Sequence, residues 1–245
     1  MQIITLANMK GGTGKTTTAA ALADAAATRE KHVLCIDLDP QANFSYTMGA
    51  DTTKPGALDF LTGTDPAATI QVISEYVDMI PANWNLAAVT SGPGSARRLQ
   101  KALAPIKKKG FYDFIVIDSP PTAGELMFNA LQAATGLIIP LLADGYNVQS
   151  LYQTAAAADQ IRRTNKDLKI LGIVFTQYDQ RSTIAKQMRQ MISDAAASLN
   201  IPVLAEIRGA VCVKEAAALQ KSLFEYAPKS KPANDYMYLF DQINR

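Results

Sequence analysis

The chain is poor in the residues that make cross-links and metal cages: two cysteines and one histidine in 245 residues. Cys35 falls in an apolar run and Cys212 near the start of a late helical segment, with no paired spacing between them. A disulfide framework is not expected, nor is a structural zinc site, which usually takes about four ligands. Long apolar runs are missing too. No segment approaches the roughly 20 uninterrupted apolar residues that span a bilayer, and no charged stretch followed by an apolar leader opens the chain. A soluble, cytoplasmic protein is expected. An excess of one charge is also lacking, since 24 Lys and Arg stand against 22 Asp and Glu, a formal net of +2. That balance does not indicate a nucleic-acid partner unless the cations cluster.

What is present is 48% apolar residues, enough for one substantial core. No repeat or low-complexity linker divides the chain, so residues 1–245 are read as a single domain. Apolar runs at Ile3 to Ala7, Val33 to Leu38, Val77 to Ile80, Phe114 to Ile117, Leu137 to Leu142 and Ile170 to Phe175 read as strands. Helical patterns occupy Thr16 to Thr28, Ala96 to Lys109, Leu126 to Ala134, Val148 to Arg163 and Ile184 to Leu199, and Ala42 to Ser95 is less regular. This alternation predicts an α/β fold, a doubly wound and mainly parallel sheet with helices on both faces.

Directly after the first strand comes KGGTGKTT, Lys10 to Thr17. Gly11, Gly12 and Gly14 let successive backbone N–H groups converge on an anion, and the helix that follows adds the positive end of its dipole. Thr13 lies inside this cradle and Thr17 follows it. Lys15 suits the β- and γ-phosphates and Thr16 a magnesium ion. The strict pattern GxxxxGK[ST] fails by one residue, because Met9 stands where the first glycine belongs. The variant instead carries a second cation, Lys10, on the opposite flank of the glycines. The second strand ends in DLDPQ, with Asp37 and Asp39, and the strand at Phe114 ends in Asp118 followed by SPP. Carboxylates at the C-terminal ends of parallel strands sit where ligands bind. One could orient water and another the magnesium shell, and Asp118 suits a Walker-B carboxylate.

These residues resemble the ParA/MinD group of P-loop ATPases with a deviant Walker A motif, KGGxGKT, and within it the ParA/Soj partition ATPases. The similarity extends through Asn129 to Leu131, Ile139 and Pro140, the TQYD at Thr176 to Asp179, and EYAPKS at Glu225 to Ser230. The resemblance implies that Lys10 reaches the partner's nucleotide across an ATP-sandwiched homodimer and that Asp39 positions the attacking water. It places Asp37 and Asp118 in the Mg²⁺ environment. It puts Thr176, Gln177 and Asp179 against the base, and Arg208 near the adenine, although the usual proline-containing sequence there is replaced by EIRGA. The implied function is partition of plasmid or chromosomal DNA: Mg-ATP drives dimerisation, the dimer binds double-stranded DNA non-specifically at the nucleoid, and hydrolysis releases it. In this family a ParB-type centromere-binding protein stimulates slow intrinsic turnover. The first strand starts almost at Met1, so the N-terminal helix-turn-helix of larger relatives is not expected.

For the DNA surface the resemblance points to basic residues of the C-terminal half, here Arg208, Lys214, Lys221 and Lys229. A second cluster, Arg97, Arg98, Lys101, Lys107, Lys108 and Lys109, contains no acid; on its own it reads at least as well as a solvated face. Arg162 with Arg163, and Arg181 with Lys186 and Arg189, form smaller groups. Two alternatives remain open. A MinD-like protein would use an amphipathic C-terminal helix on a membrane, but the apolar residues of NDYMYLFDQINR are expected to pack on the domain. An ATP-dependent ligase on this scaffold would need a substrate pocket beside the γ-phosphate. An iron–sulfur reductase with this loop is discounted, because Cys35 is committed to a core strand.

Overall fold

A computed structural model describes residues 1–244. Its centre is an eight-stranded sheet in the order β3-β4-β2-β5-β1-β6-β7-β8. The strands are β1 Gln2–Leu6, β2 Val33–Asp37, β3 Gln71–Val72, β4 Val77–Ile80, β5 Phe114–Asp118, β6 Gly136–Leu141, β7 Lys169–Tyr178 and β8 Val203–Arg208. Every pairing is parallel except that of β3 with β4. A strand buried on both faces must be apolar at every position rather than at alternate ones. β1, β2 and β5 meet that demand: Ile3, Leu34, Ile36, Ile115 and Ile117 join the core on one face, and Ile4, Val33, Cys35, Phe114 and Val116 join the other.

The first face is covered by helices Glu125–Ala133, Asn147–Arg162 and Thr183–Ser198, through Met127, Leu151 and Ile192. Helices Lys15–Ala27 and Lys231–Ile243 cover the second. The alanines of Lys15–Ala27 are small enough for the helix to lie between the sheet and the C-terminal helix, and Ala19, Ala23 and Ala25 have no exposed surface. On Lys231–Ile243, Tyr236, Leu239 and Phe240 form one buried stripe at helical spacing, and the Phe240 ring packs 5.5 Å from that of Phe114. The apolar residues of the C-terminal segment are thus used largely in packing. Among the described residues no helix is long and apolar enough to cross a membrane.

Several elements differ from their sequence-based expectation, among them β3 and the short helices within Ala42 to Ser95. The predicted helix Ala96 to Lys109 is a 3₁₀ turn Ser95–Arg97 followed by two short helices, Arg98–Ala102 and Ala104–Lys109. Pro105 lacks the N–H that would bond the Lys101 carbonyl, which opens the ladder there. β7 runs on to Tyr178, so Thr176 and Gln177 lie within the strand rather than after it; Gln177 takes φ 52° and forms a bulge against β8. β8 itself is a strand that patterning does not predict. It lies at the sheet edge, where some of its residues are only half-buried and the apolar signal is weak.

Candidate functional site

The order of the sheet puts β1 where the connections diverge, with β5, β2 and β4 on one side and β6, β7 and β8 on the other. The crevice beyond the C-terminal end of such a strand is where open α/β sheets bind ligands, and Lys10 to Gly14 occupies it. Gly12 and Gly14 take φ of 74° and 82°, a region L-residues rarely adopt, and a Cβ on Gly14 would also lie 3.2 Å from the Thr176 side chain. Gly11 needs no such conformation, and a Cβ there would meet only Pro121, at 3.9 Å.

The loop is braced from the core. Asn8, fully buried, donates from Nδ2 to the Pro140 carbonyl at 2.6 Å and accepts the Lys10 N–H at 2.9 Å. Thr176 Oγ1 donates to the Thr13 carbonyl at 2.8 Å, tying β7 to the loop's centre. Sequence reasoning did not single out Asn8, although a polar residue closing an apolar strand before a glycine loop is a usable signal.

The two lysines have opposite environments. Lys15 is buried and donates to the Lys10 carbonyl at 3.3 Å. Burial lowers its pKa, and the nearby Asp118 and Asp39 carboxylates oppose the shift. Lys10 is half-buried and lies outside the loop, its Nζ 2.8 and 2.9 Å from the two oxygens of Asp144 and 5.4 Å from the centre of the Tyr146 ring. Asp144 was absent from the sequence-based candidates; its place just beyond β6, at the ligand edge of the sheet, was the available signal.

On the other side of β1, register brings Asp37 and Asp118 directly opposite each other at the ends of β2 and β5. Both are buried. Burial raises the Asp118 pKa well above the carboxylate range and Asp37 adds to the shift, while the Thr16 hydroxyl and Lys15 work against it. Asp37 is pushed up to about 6, again mainly by burial. Its oxygens are nevertheless fully engaged, one by the Asp39 N–H at 2.9 Å and the other by the Ser45 N–H and hydroxyl at 2.9 and 2.8 Å. Asp118 differs: Oδ2 accepts from Thr16 Oγ1 at 2.6 Å, and buried Oδ1 has no partner. An orphaned carboxylate oxygen beside a threonine hydroxyl and a phosphate cradle fits a magnesium ion, a hard cation that keeps several waters and takes few protein oxygens. Asp39 is half-buried, with Oδ1 accepting the Gln41 N–H at 3.0 Å.

A cavity of about 400 Å³ adjoins the loop on the β7–β8 side. Gly14, Thr17, Thr176, Gln177 and Arg208 line it, so most of the expected base-side residues come together. Asp179 does not line it; its carboxylate accepts the Arg181 N–H at 2.9 Å and closes the turn after β7. Arg208 is ion-paired within the domain: its Nε and Nη2 donate to both oxygens of Asp235 at 2.8 and 2.5 Å. Lys214, Lys221 and Lys229 are exposed. A second cavity, about 490 Å³, runs along helix Lys15–Ala27 past Asp24 and Ser222 and includes neither Asp39 nor Asp118.

A family model described as an AAA domain matches residues 1–170. Chromosome partitioning protein ParA of Caulobacter vibrioides is 34% identical, over 99% of this chain and 94% of its own length. Sporulation initiation inhibitor protein Soj of Bacillus subtilis is 31% identical, over 99% of this chain and 98% of its own. The crystal structure of cobyrinic acid a,c-diamide synthase from Mycobacterium smegmatis with bound ADP and magnesium superimposes with a TM-score of 0.84 at 31% identity, covering 100% of this chain and 94% of that one. With its glycine cradle, its paired lysines and this likeness over nearly the whole length, the chain belongs to the ParA/MinD family of P-loop ATPases.

Proposed function

We propose that this protein is a partition ATPase that converts nucleotide state into affinity for DNA. The observation that carries the reading is the division of labour between the two lysines. Lys15 is buried in the cradle, where it can serve only its own subunit's phosphates. Lys10 stands outside, held by Asp144 and partly open to solvent. A cation so placed can leave a surface ion pair, worth about 1 kcal/mol or less, for a phosphate supplied on a second subunit. The complete site then exists only in the dimer, so nucleotide binding favours the dimer by its differential affinity for it.

Within one subunit, backbone N–H groups of Gly11 to Lys15 would cradle the phosphates, and Thr16 with Asp118 would hold magnesium. That ion, when bound, supplies positive charge against the transferring phosphoryl group. Asp39, at the end of the DLDPQ turn, would orient the attacking water. Thr176, Gln177 and Arg208 would face the base, and Asp37 would hold the Asp39 turn in place. The likeness to ParA and Soj proteins supports a ParB-type partner that stimulates hydrolysis, and DNA release when ATP is spent.

The test is molecular mass and DNA binding measured with no nucleotide, with ADP and with a slowly hydrolysed ATP analogue plus magnesium. Dimerisation and DNA binding confined to the ATP-like state are expected. A persistent monomer overturns the role of Lys10. A dimer that ignores DNA overturns the DNA reading and redirects it to protein or membrane cargo, although the packing of Tyr236, Leu239 and Phe240 leaves little apolar surface on the C-terminal helix for lipid.

The 31% identity to a diamide synthase favours a second reading, an ATP-dependent synthetase. That chemistry needs an acceptor pocket beside the γ-phosphate, and neither large cavity is lined by Asp39 or Asp118. Phosphate release that requires an added carboxylic acid and amine, rather than DNA or a protein partner, would establish it in place of the partition reading.

A further inference from the structure

Between Asp78 and Asp113 the chain has no carboxylate and six cations: Arg97, Arg98, Lys101, Lys107, Lys108 and Lys109. Of a formal net charge of +2, this stretch therefore supplies +6 and leaves −4 for everything else. The structure places all six on the successive turns Ser95–Arg97, Arg98–Ala102 and Ala104–Lys109. Leu99, Leu103 and Ile106 form the buried stripe. Arg97, Lys101 and Lys108, one from each of these three elements, are all exposed. Lys107 is exposed beside Lys108, and Arg98 is half-buried.

Among the described residues none of the six is in an ion pair, whereas Lys10, Arg29, Lys54, Arg162, Arg189 and Arg208 each have a carboxylate within 4.0 Å. The acids on helices packed against these turns have other partners: Asp59 accepts the Gly56 N–H and Glu125 accepts from Asn129. Helix stability accounts for only part of the cluster. Lys101 lies in the last turn of Arg98–Ala102, and Lys107, Lys108 and Lys109 in that of Ala104–Lys109, where cations are favourable, but Arg98 opens the first of these helices, where a cation is unfavourable. The first turn is also held rigidly, because buried Asn129 Oδ1 accepts the Leu99 N–H at 3.0 Å.

We propose that this face, carrying Arg97, Lys101 and Lys108, binds the phosphate backbone of double-stranded DNA. The proposal rests on the DNA-binding reading above and locates that contact away from the C-terminal half, where Arg208 is ion-paired with Asp235. A duplex carries one negative charge per roughly 1.7 Å of axis, so a group of six cations without carboxylate partners meets several phosphates, and a dimer presents two such groups. No base-reading geometry accompanies the charges, so binding is independent of sequence and falls with salt.

The test compares the unaltered protein with Arg97→Gln/Lys101→Gln/Lys108→Gln and with Lys214→Gln/Lys229→Gln, all with magnesium and the slowly hydrolysed ATP analogue, titrating a fluorescent random-sequence duplex across salt concentrations. Thermal unfolding and dimer mass are recorded for each. The triple variant is expected to fold, dimerise and keep its basal ATP turnover. Its affinity should fall by on the order of tenfold or more, and its salt slope should be shallower by about one for each phosphate no longer neutralised. Arg97→Lys should retain most of the binding at that position. If the triple variant binds with unchanged slope, or only the Lys214/Lys229 variant loses affinity, this surface is wrong while DNA binding stands. If the unaltered dimer binds no DNA at all, both fall. Should the triple variant misfold, Lys101→Gln/Lys108→Gln reports on the same face, and an unchanged slope there overturns the proposal equally.

Discussion

The two ends of the nucleotide site are built to different standards. At the phosphate end, Lys15, Thr16, Asp37 and Asp118 are tied to β1, β2 and β5, three adjacent parallel strands in continuous register. Each of these side chains except Thr16 is buried, and the loop between them is braced by Asn8 and Thr176. At the base end, the walls come from a bulge at Gln177, the end of the edge strand β8, and helix Val211–Ala218, on which only Ala216 is buried. In the proposed site, phosphate chemistry is thus held by the core and recognition of the base is left to the periphery. A core position is over-determined by its neighbours, whereas a peripheral wall can move or vary at little cost.

Removing Lys15 should break this contrast most severely. Lys15→Ala is expected to lower ATP turnover by about 100-fold or more, since phosphoryl transfer depends on positioning and charge; phosphate release under saturating ATP measures it. At the base end Arg208→Ala should cost far less in turnover, with nucleotide affinity changed by about tenfold at most.

Next comes the buried acid pair. Asp37 has a pKa of about 6 against an ordinary 3.8, and Asp118 is raised further. The folded chain keeps these protons to higher pH than the unfolded chain does. Without magnesium or nucleotide, stability should therefore be greatest below about pH 4 as far as these groups are concerned, and fall as pH rises through 6. Asp118→Asn, which removes one acid and preserves an acceptor for Thr16, should raise stability at pH 8 while abolishing the response to magnesium. Thermal unfolding with and without magnesium at pH 5 and pH 8 separates the two effects. An unfolding temperature that does not move at pH 8 would mean that the pair is not strained.

Arg208→Ala also sharpens the comparison through stability. It removes the guanidinium from the Asp235 carboxylate, only 14% exposed, and leaves it the Arg208 backbone N–H at 3.0 Å, so a loss of about 1 kcal/mol is expected in denaturant unfolding. The smallest effect belongs to the outer lysine. Asp144→Asn releases Lys10 from a half-exposed ion pair and should strengthen nucleotide-dependent dimerisation by up to about fivefold, seen by sedimentation. Weakened dimerisation would instead mean that Asp144 orients Lys10 for the partner subunit.

The phosphate end was legible in the residues. A glycine cradle after an apolar run, and acids closing two further runs, imply one site because parallel strands end at one edge. The six interior strands were legible for the same reason: burial on both faces leaves mainly apolar stretches, interrupted in β4 by Asp78. Patterning did not reveal β8, whose residues are partly exposed, or the bulge at Gln177, or the break that Pro105 makes among the basic turns. Asp144 and Asn8 were equally silent, because a single polar residue has no period.

The amino-acid order by itself determined the fold class, the phosphate loop and the identity of the acids around it, since local backbone demands and burial on both sheet faces are written in residue type. Only the tertiary structure decided which charges are free. It matched Arg208 with Asp235 and Lys10 with Asp144, engaged both oxygens of Asp37 while orphaning one of Asp118, and left six cations between 97 and 109 without a carboxylate partner among the described residues. Whether a charge is available depends on what lies within about 4 Å of it across the fold, and residues 27 or 134 positions apart become neighbours only when the chain has folded.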